Sequence, residues 1–292
     1  MRILIIGSRG LLGSELVEQW TNDEVIPATS GDVDIRDIGL VRQFITQARP
    51  DWVVLAAAYT DVDGSERNRE QAFAVNGEGT RNVARVAQEL DRKLLYVSTD
   101  YVFDGTSRRP YEPDDPIHPL NVYGASKAAG ENAVREESKH WVIARTSWLF
   151  GASRDSFPEK ILRAAARQPQ IKVVADQIGS PTFTRDLATA IRDLVRSEAR
   201  GILHATNSGS CSWFEFAKEV LLKAGRKTTI LPITMAEADR VAKRPAYSVL
   251  SPASLNVRGI TLRSWHEAVG AYVAELRQKG KMDWYLGCPS RT

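Results

Sequence analysis

A Rossmann-type, doubly wound α/β fold is what this 292-residue sequence predicts, with a parallel sheet covered on both faces. Three observations carry the prediction. The chain opens on a continuous apolar run, Arg2-Ile3-Leu4-Ile5-Ile6, that ends in a glycine. Further short apolar runs follow, each separated from the next by a segment with helical periodicity. A glycine-rich turn, Gly7-Ser8-Arg9-Gly10-Leu11-Leu12-Gly13, joins the first run to the first helix, where folds of this kind hold phosphates.

The elements follow in order. Residues 2–6 read as a strand, and Leu11, Leu12, Leu16, Val17 and Trp20 then share one helical face. Residues 24–29 are a weaker strand, 37–48 a helix stopped before Pro50, and 52–58 (WVVLAAA) a fully buried strand. A long helix over 71–90 carries Val83, Val86, Ala87 and Leu90 at helical spacing. KLLYVST (93–99), a helix beginning near Tyr123, and WVIART (141–146) continue the alternation. After Gly151 helices remain readable at 158–167, 185–197, 212–224 and 264–279, but the strands become short and isolated. This divides the chain into a Rossmann domain over 1–150 and a smaller, discontinuous α/β substrate domain over 151–292. Residues 185–206 return to the first domain, with 202–206 as a late strand. From Met282 onward the chain either docks on the body or frays.

Composition narrows the function classes. An apolar content of 43% is that of a packed globular protein. Lysine plus arginine exceed aspartate plus glutamate by only 39 to 36, with no dense basic block, which argues against a nucleic-acid binder. Cys211 and Cys288 lie far apart and His118, His140, His204 and His266 are scattered, so neither a disulfide framework nor a structural zinc site is expected. No run of about 18 apolar residues is present, which excludes a membrane span and makes a reducing cytoplasm the expected compartment.

The glycine turn points to a nicotinamide dinucleotide. Its spacing is GxxGxxG, which resembles the extended branch of the short-chain dehydrogenase/reductase superfamily. Specificity is read at the end of the second strand, where a carboxylate usually holds the ribose hydroxyls of NAD. Here that position reads Ala28-Thr29-Ser30, with no carboxylate to repel a 2′-phosphate. Arg9 could pair with that phosphate, so NADPH is the expected cofactor, with NADH tolerated. Asp32, Asp34 and Ile35 fall where the adenine should rest. The small residues Ala56, Ala57 and Ala58, followed by Tyr59, let the cofactor approach the third strand.

Tyr123 and Lys127 stand four apart, on one face of a helix. A ketone reduced by hydride needs a proton, and a phenol is a poor donor near neutrality. A neighbouring ammonium and the cofactor's positive ring would lower its pKa. In the resembled superfamily a serine or threonine at the end of the preceding strand binds the substrate carbonyl. Thr99 takes that place, with Ser98 supporting the strand end. Asn76 and the Gly79-Thr80 pair match a helix that braces the cofactor strands in the extended branch.

Longer segments make the resemblance specific. AAAYTDVDGSE, YVSTDYVFDG, PLNVYGASKAAGE, RTSWLFG, VVADQIGSPTFTRDLA, HATNSGSCSWFEFA and KRPAYSVLS together run almost end to end. With them the chain resembles the dTDP-4-dehydrorhamnose reductase family. The resemblance implies hydride transfer to the C4 ketone of a nucleotide-linked deoxysugar, with Tyr123 as proton donor. It also implies substrate contacts from Thr99, Asp100, Tyr101, Trp148 and Gln177, and from Arg244 as a diphosphate ligand. Gly179, Ser180, Pro181 and Thr182 would shape the same side. Some relatives bind magnesium between subunits through glutamates, and Glu15 falls where one such ligand would. The other ligands do not align, so the metal is unassigned, and monomer and homodimer remain equally open.

Competing functions meet specific obstacles. A 4,6-dehydratase of this branch reads Thr-Asp-Glu, whereas this chain reads Thr99-Asp100-Tyr101. A 4-epimerase's serine-rich strand end does not occur. A catalytically silent relative that serves methionine adenosyltransferase as a regulatory subunit is the alternative from another class.

Overall fold

The computed structural model describes residues 1–282. The first part of the chain folds as β1 (Arg2–Ile6), α1 (Leu11–Gln19), β2 (Glu24–Ala28), α2 (Ile38–Ala48), β3 (Trp52–Leu55), α3 (Val62–Arg67) and α4 (Arg69–Phe73). A six-residue π-turn (Ala74–Gly79) then leads without a break into α5 (Thr80–Glu89), followed by β4 (Lys93–Thr99), α6 (Val122–Glu137), β5 (Trp141–Thr146) and β6 (Leu149–Phe150). The rest comprises α7 (Phe157–Arg167), β7 (Gln170–Val174), β8 (Ile178–Gly179), β9 (Thr182–Phe183), α8 (Thr184–Arg196), β10 (Gly201–His204) and β11 (Cys211–Ser212). It closes with α9 (Trp213–Ala224), β12 (Thr229–Ile233), α10 (Ala253–Asn256) and α11 (Trp265–Gln278).

Six strands pair in parallel in the order β10-β5-β4-β3-β1-β2. Both faces are covered, which is why the strands read as unbroken apolar runs. Ile3, Ile5, Val54, Leu95 and Val142 face α1 and α8, where they meet Leu16, Trp20, Leu187 and Ile191. Leu4, Ile6, Val53, Leu94 and Tyr96 face the other way, toward Val41, Ile45, Val83, Val86 and Val134 of α2, α5 and α6. The chain steps from β1 outward to β2, then returns past β1 to β3. The crevice at that reversal, above the carboxyl ends of β1 and β3, is where such sheets take ligands.

A second apolar cluster lies beyond the sheet, where Phe150, Phe183, Phe216 and Tyr272 join α7, α9 and α11. The strands expected to stand alone here are paired after all. β7 runs parallel to β12, β6 runs parallel to β9, and β8 is antiparallel to β11.

Several boundaries differ from expectation. The second strand ends at Ala28 and the third at Leu55, so Ala56, Ala57 and Ala58 already belong to the loop over the crevice. The helix expected over 71–90 is three consecutive pieces, because the π-turn interrupts its periodicity. The terminal residues from 283 lie outside the described part, so the expectation for the tail rests on the sequence.

Candidate active site

The cofactor end is built by close backbone approach. Gly7 has φ of +94°, and a Cβ there would stand 2.5 Å from the Ala57 nitrogen. Gly13 lets the first turn of α1 close on the loop, since its Cβ would fall 2.1 Å from the Gly7 carbonyl oxygen. The N-cap of α1 is Gly10, with no capping side chain and no acidic residue in the first turn. That leaves the helix's first N–H groups free for an anion, so the loop fits a dinucleotide pyrophosphate. Two residues from the β6–α7 connection hold the loop from above. Ser153 Oγ donates to the Leu11 carbonyl at 3.2 Å, and Arg154 donates to the Arg9 carbonyl at 2.9 Å.

The end of β2 departs from the sequence reading in one respect. A carboxylate does sit there, because Asp32 folds back to accept bonds from Thr29 N (2.8 Å) and Thr29 Oγ1 (2.6 Å). These bonds hold its carboxyl below the usual range, and the Arg9 cation contributes in the same direction. Asp34 is turned to the surface, paired with Arg36 at 2.6 Å. Ile35 is buried in the core, packed against Gly79. Leu12 is likewise core, and Leu11 is half-buried.

Asn76, on the π-turn, ties the crevice to the chemical end. Its Oδ1 accepts from Tyr59 N at 2.8 Å, and its Nδ2 donates to Tyr59 O (3.0 Å) and Ser126 Oγ (2.9 Å). Ser126 in turn donates to the Tyr123 carbonyl at 2.7 Å. One amide therefore braces both the exit of β3 and the first turn of α6. The start of α6 is capped by Asn121, which accepts from Gly124 N (2.8 Å) and donates to Lys243 O (2.7 Å).

At the carboxyl end of β4 the expected residues converge. Thr99 Oγ1 donates to Asp100 Oδ1 at 3.0 Å and accepts from Tyr101 N at 3.2 Å. The Tyr123 side chain faces Thr99, whose hydroxyl acts to lower the phenol's pKa, and the Tyr123 ring meets the edge of Tyr101 at 5.9 Å. Asp100 Oδ2 accepts from Ser248 Oγ at 2.5 Å, with both groups buried. Burial pushes the Asp100 carboxyl up to about 7, against the bonds from Ser248 and Thr99. Ser98 Oγ supports the strand end as expected, donating to Glu131 at 2.6 Å.

Lys127 corrects one expectation. Its ammonium donates to the Val97 carbonyl at 2.7 Å and lies 4.0 Å above the Tyr96 ring. Burial pulls its pKa down to about 7, with the Glu131 carboxylate opposing. The Tyr123 phenol is pushed up by burial, and the charge on Asp100 adds to this. In the protein alone burial outweighs the lowering by Thr99, and Lys127 is not among the groups that shift Tyr123.

Of the expected substrate residues, Gln177 and Arg244 line a cleft of about 300 Å³ together with Leu120, Val174, Met235 and Arg240, whereas Thr99, Asp100, Tyr101 and Trp148 are not part of its lining. Gln177 is buried beside Tyr101, and its Nε2 has no hydrogen-bond partner among the described residues. Trp148 is buried in the second cluster, stacked on Trp213 with centroids 3.6 Å apart. Its φ is +46°, its Nε1 is buried without a partner among the described residues, and Gly179 packs against its ring. Arg244 does not present a free fork. Both its terminal nitrogens bond Asp63, at 3.1 and 2.9 Å, and one also bonds the Ala242 carbonyl. Arg240 and Lys243, which the sequence reading missed, line the same cleft. Lys243 opens the KRPAYSVLS segment, where no role was assigned to it, and no motif singles out Arg240.

Glu15 is the residue to which the resemblance assigns a possible magnesium ligand between subunits. It is buried, bonded by Gln19 at 2.7 Å, and faces Arg185 at 3.6 Å. The nearby carboxylate of Glu275 pairs with Lys279, and Arg185 stands 3.9 Å from it. Two cations thus already serve the acidic pair. Among the described residues, no three His, Cys, Asp or Glu side chains gather as metal ligands would.

Behind the site lies a buried ion pair that the sequence reading also missed. Arg145 donates to Glu131 through Nε (2.9 Å) and Nη2 (2.7 Å), and through Nη1 to the Pro113 carbonyl at 3.0 Å. Burial, with the Arg145 cation beside it, lowers the His204 pKa to about 3, so this imidazole stays neutral.

Comparison with known proteins places these features. Residues 1–278 match the family model described as the RmlD substrate binding domain. The spore coat polysaccharide biosynthesis protein SpsK of Bacillus subtilis is 41% identical over 276 residues, covering 94% of this chain and 97% of that protein. The dTDP-4-dehydrorhamnose reductase of Mycobacterium tuberculosis is 38% identical over 283 residues, covering 94% and 92%. Among solved structures, the Bacillus anthracis dTDP-4-dehydrorhamnose reductase in complex with NADP superposes with a TM-score of 0.92. It is 39% identical, with 94% of this chain and 99% of that one covered. No helix among the described residues is long and apolar enough to cross a membrane.

Proposed function

The chain belongs to the dTDP-4-dehydrorhamnose reductase family, and from that membership we propose its reaction, the NADPH-dependent reduction of the C4 ketone of dTDP-4-dehydro-6-deoxy-L-mannose to dTDP-L-rhamnose. The observation that carries this reading is the juxtaposition of the Thr99 and Tyr123 side chains. Thr99 ends β4 and Tyr123 lies beside it in the first turn of α6.

NADPH, when bound, supplies the hydride. The backbone of Gly7, Gly10, Leu11, Leu12 and Gly13 receives its pyrophosphate, and Arg9 its 2′-phosphate. Ala56, Ala57, Ala58 and Tyr59 border the crevice, held in place by Asn76. Thr99 donates a hydrogen bond to the ketone oxygen and Tyr123 delivers the proton that makes it a hydroxyl. Lys127, tied to the Val97 carbonyl, stands one helical turn from that phenol. Tyr101, Gln177 and Trp148 enclose the sugar, and Asp100 orients Thr99. Arg240, Lys243 and Arg244 make the diphosphate side of the cleft positive, with Arg244 positioned by Asp63. The Tyr101 ring occupies the position that would carry a dehydratase's glutamate, which favours reduction over elimination.

Division of labour follows the same lines. Residues 1–150 with 185–206 carry the cofactor, and the remainder of 151–292 carries the sugar nucleotide. The expected setting is the cytoplasm, where NADPH is found, with a monomer or a homodimer as the working form.

A coupled assay supplying dTDP-4-keto-6-deoxy-L-mannose and NADPH tests the reading. Loss of absorbance at about 340 nm is the expected result. NADPH binding without turnover would favour the regulatory role instead. In the same assay NADH is expected to substitute with lower catalytic efficiency. Arg9→Ala is expected to raise KM for NADPH about tenfold, the worth of one charge-assisted bond, with little change for NADH. An equal effect on both coenzymes would remove Arg9 from the 2′-phosphate.

A further inference from the structure

The proton count at Thr99 does not match the task proposed for it. A threonine hydroxyl has one proton to give and two lone pairs to receive with. Here the proton goes to Asp100 Oδ1 at 3.0 Å, while one lone pair takes the Tyr101 N–H at 3.2 Å. Tyr123 stands beside Thr99; with the Thr99 proton committed to Asp100, a bond between the two hydroxyls can only be carried by the Tyr123 proton. Both hydroxyl protons then run inward, from Tyr123 to Thr99 to Asp100, and neither faces a ketone.

Protonation of Asp100 reverses this. Ser248 donates to Oδ2 at 2.5 Å and is itself fully buried. If Asp100 donated to Ser248, the serine's own proton would be buried with no acceptor, which is costly. The proton of a neutral Asp100 therefore belongs on Oδ1, facing Thr99. Thr99 then receives from Asp100 and from the Tyr101 N–H. Both lone pairs are filled, and the Thr99 and Tyr123 protons are free to turn outward.

We propose that Asp100, held by Ser248, is the positioning residue that sets the direction of both hydroxyl protons at the reaction centre. Ionised, it draws them inward; protonated on Oδ1, it turns them toward the ketone oxygen. The proposal rests on the ketone-reductase reading above and deepens it.

The surroundings set the pH at which this operates. Burial favours the neutral acid, opposed by Ser248, Thr99 and the N–H groups of Asp100 and Tyr101, and the balance falls at about 7. Tyr123 faces Asp100 from α6. Arg244 and Arg240 reach the neighbouring Tyr101, and Lys127 and Glu131 contact β4 at Val97 and Ser98. Since burial raises the Asp100 pKa, the productive form dominates below the midpoint and is lost above it.

The test is the pH profile of kcat for wild type, Ser248→Ala and Asp100→Asn, with NADPH affinity measured alongside as a check on folding. Wild type is expected to lose activity on an alkaline limb near pH 7. Ser248→Ala removes a bond to the carboxylate and should move that limb up by about one pH unit. Asp100→Asn should abolish the limb, since its amide accepts from Ser248 and donates to Thr99 as the neutral acid does. An Asp100→Asn enzyme that keeps the wild-type limb would assign it to Lys127 and overturn the proposal. So would one that binds NADPH normally but is inert at every pH. A wild-type protein inert toward the keto sugar would overturn the reductase reading itself and this proposal with it. Full activity with unmoved limbs would overturn the proposal alone.

Discussion

Tyr123→Phe is expected to abolish turnover, lowering kcat by about 10²- to 10⁴-fold, the usual range for a positioned proton donor. NADPH affinity should remain nearly intact. The substitution removes only the hydroxyl, and the ring keeps its edge contact with Tyr101 at 5.9 Å. The α6 backbone is held independently, through Ser126 to Asn76 and through Asn121 to Lys243. Steady-state kinetics with the keto sugar and a fluorescence titration with NADPH separate the two effects. A fully active Tyr123→Phe enzyme would remove the phenol from the proton path.

Arg145→Ala is expected to cost stability more than chemistry. Arg145 and Glu131 are 2% and 0% exposed, and truncating the arginine leaves a carboxylate buried without its cation. Breaking one side of such a pair costs about 3–5 kcal/mol. The Pro113 carbonyl also loses its donor. Urea unfolding measures the change. The double variant Glu131→Gln/Arg145→Met removes both charges and should recover much of the loss, because the penalty lies in the uncompensated charge. If Arg145→Ala alone were neutral, water would have to reach Glu131, contrary to its burial.

What could be read from the sequence depends on distance along the chain. Tyr123 and Lys127 declare themselves because a helix brings positions four apart to one face. The glycine loop is legible because its constraint is local, within one strand–helix turn. The six-stranded sheet is legible because burial on both faces leaves its strands uniformly apolar. By contrast, Ser248 and Asp100 are 148 positions apart, and Arg244 and Asp63 are 181 apart. No local pattern connects such pairs, so Arg244 looked like a free anion ligand when its fork is shared with Asp63. The Asp32 turn was a different kind of miss. Thr29-Ser30-Gly31-Asp32 is short enough to show a carboxylate folding back on its own strand end, a common habit of aspartate. The paired β7 and β12 alternate or expose their side chains, and so lack the apolar run that marked the main sheet.

The π-turn between α4 and α5 has a geometric consequence. An α-helix advances by about 100° per residue, so every position on a regular rod is phase-locked to every other. A π-turn spreads its bonds over a wider ring, which amounts to one inserted residue and lets the phase slip. Here the slip falls at Ala74–Gly79, between two sets of obligations. Within it Asn76 aims at Tyr59 and Ser126; beyond it Val83 and Val86 aim at the sheet. A strictly periodic helix would have to compromise between these directions. The phase slip lets one continuous rod satisfy both, so the bracing of the reaction centre and the packing of the core are angularly independent of each other.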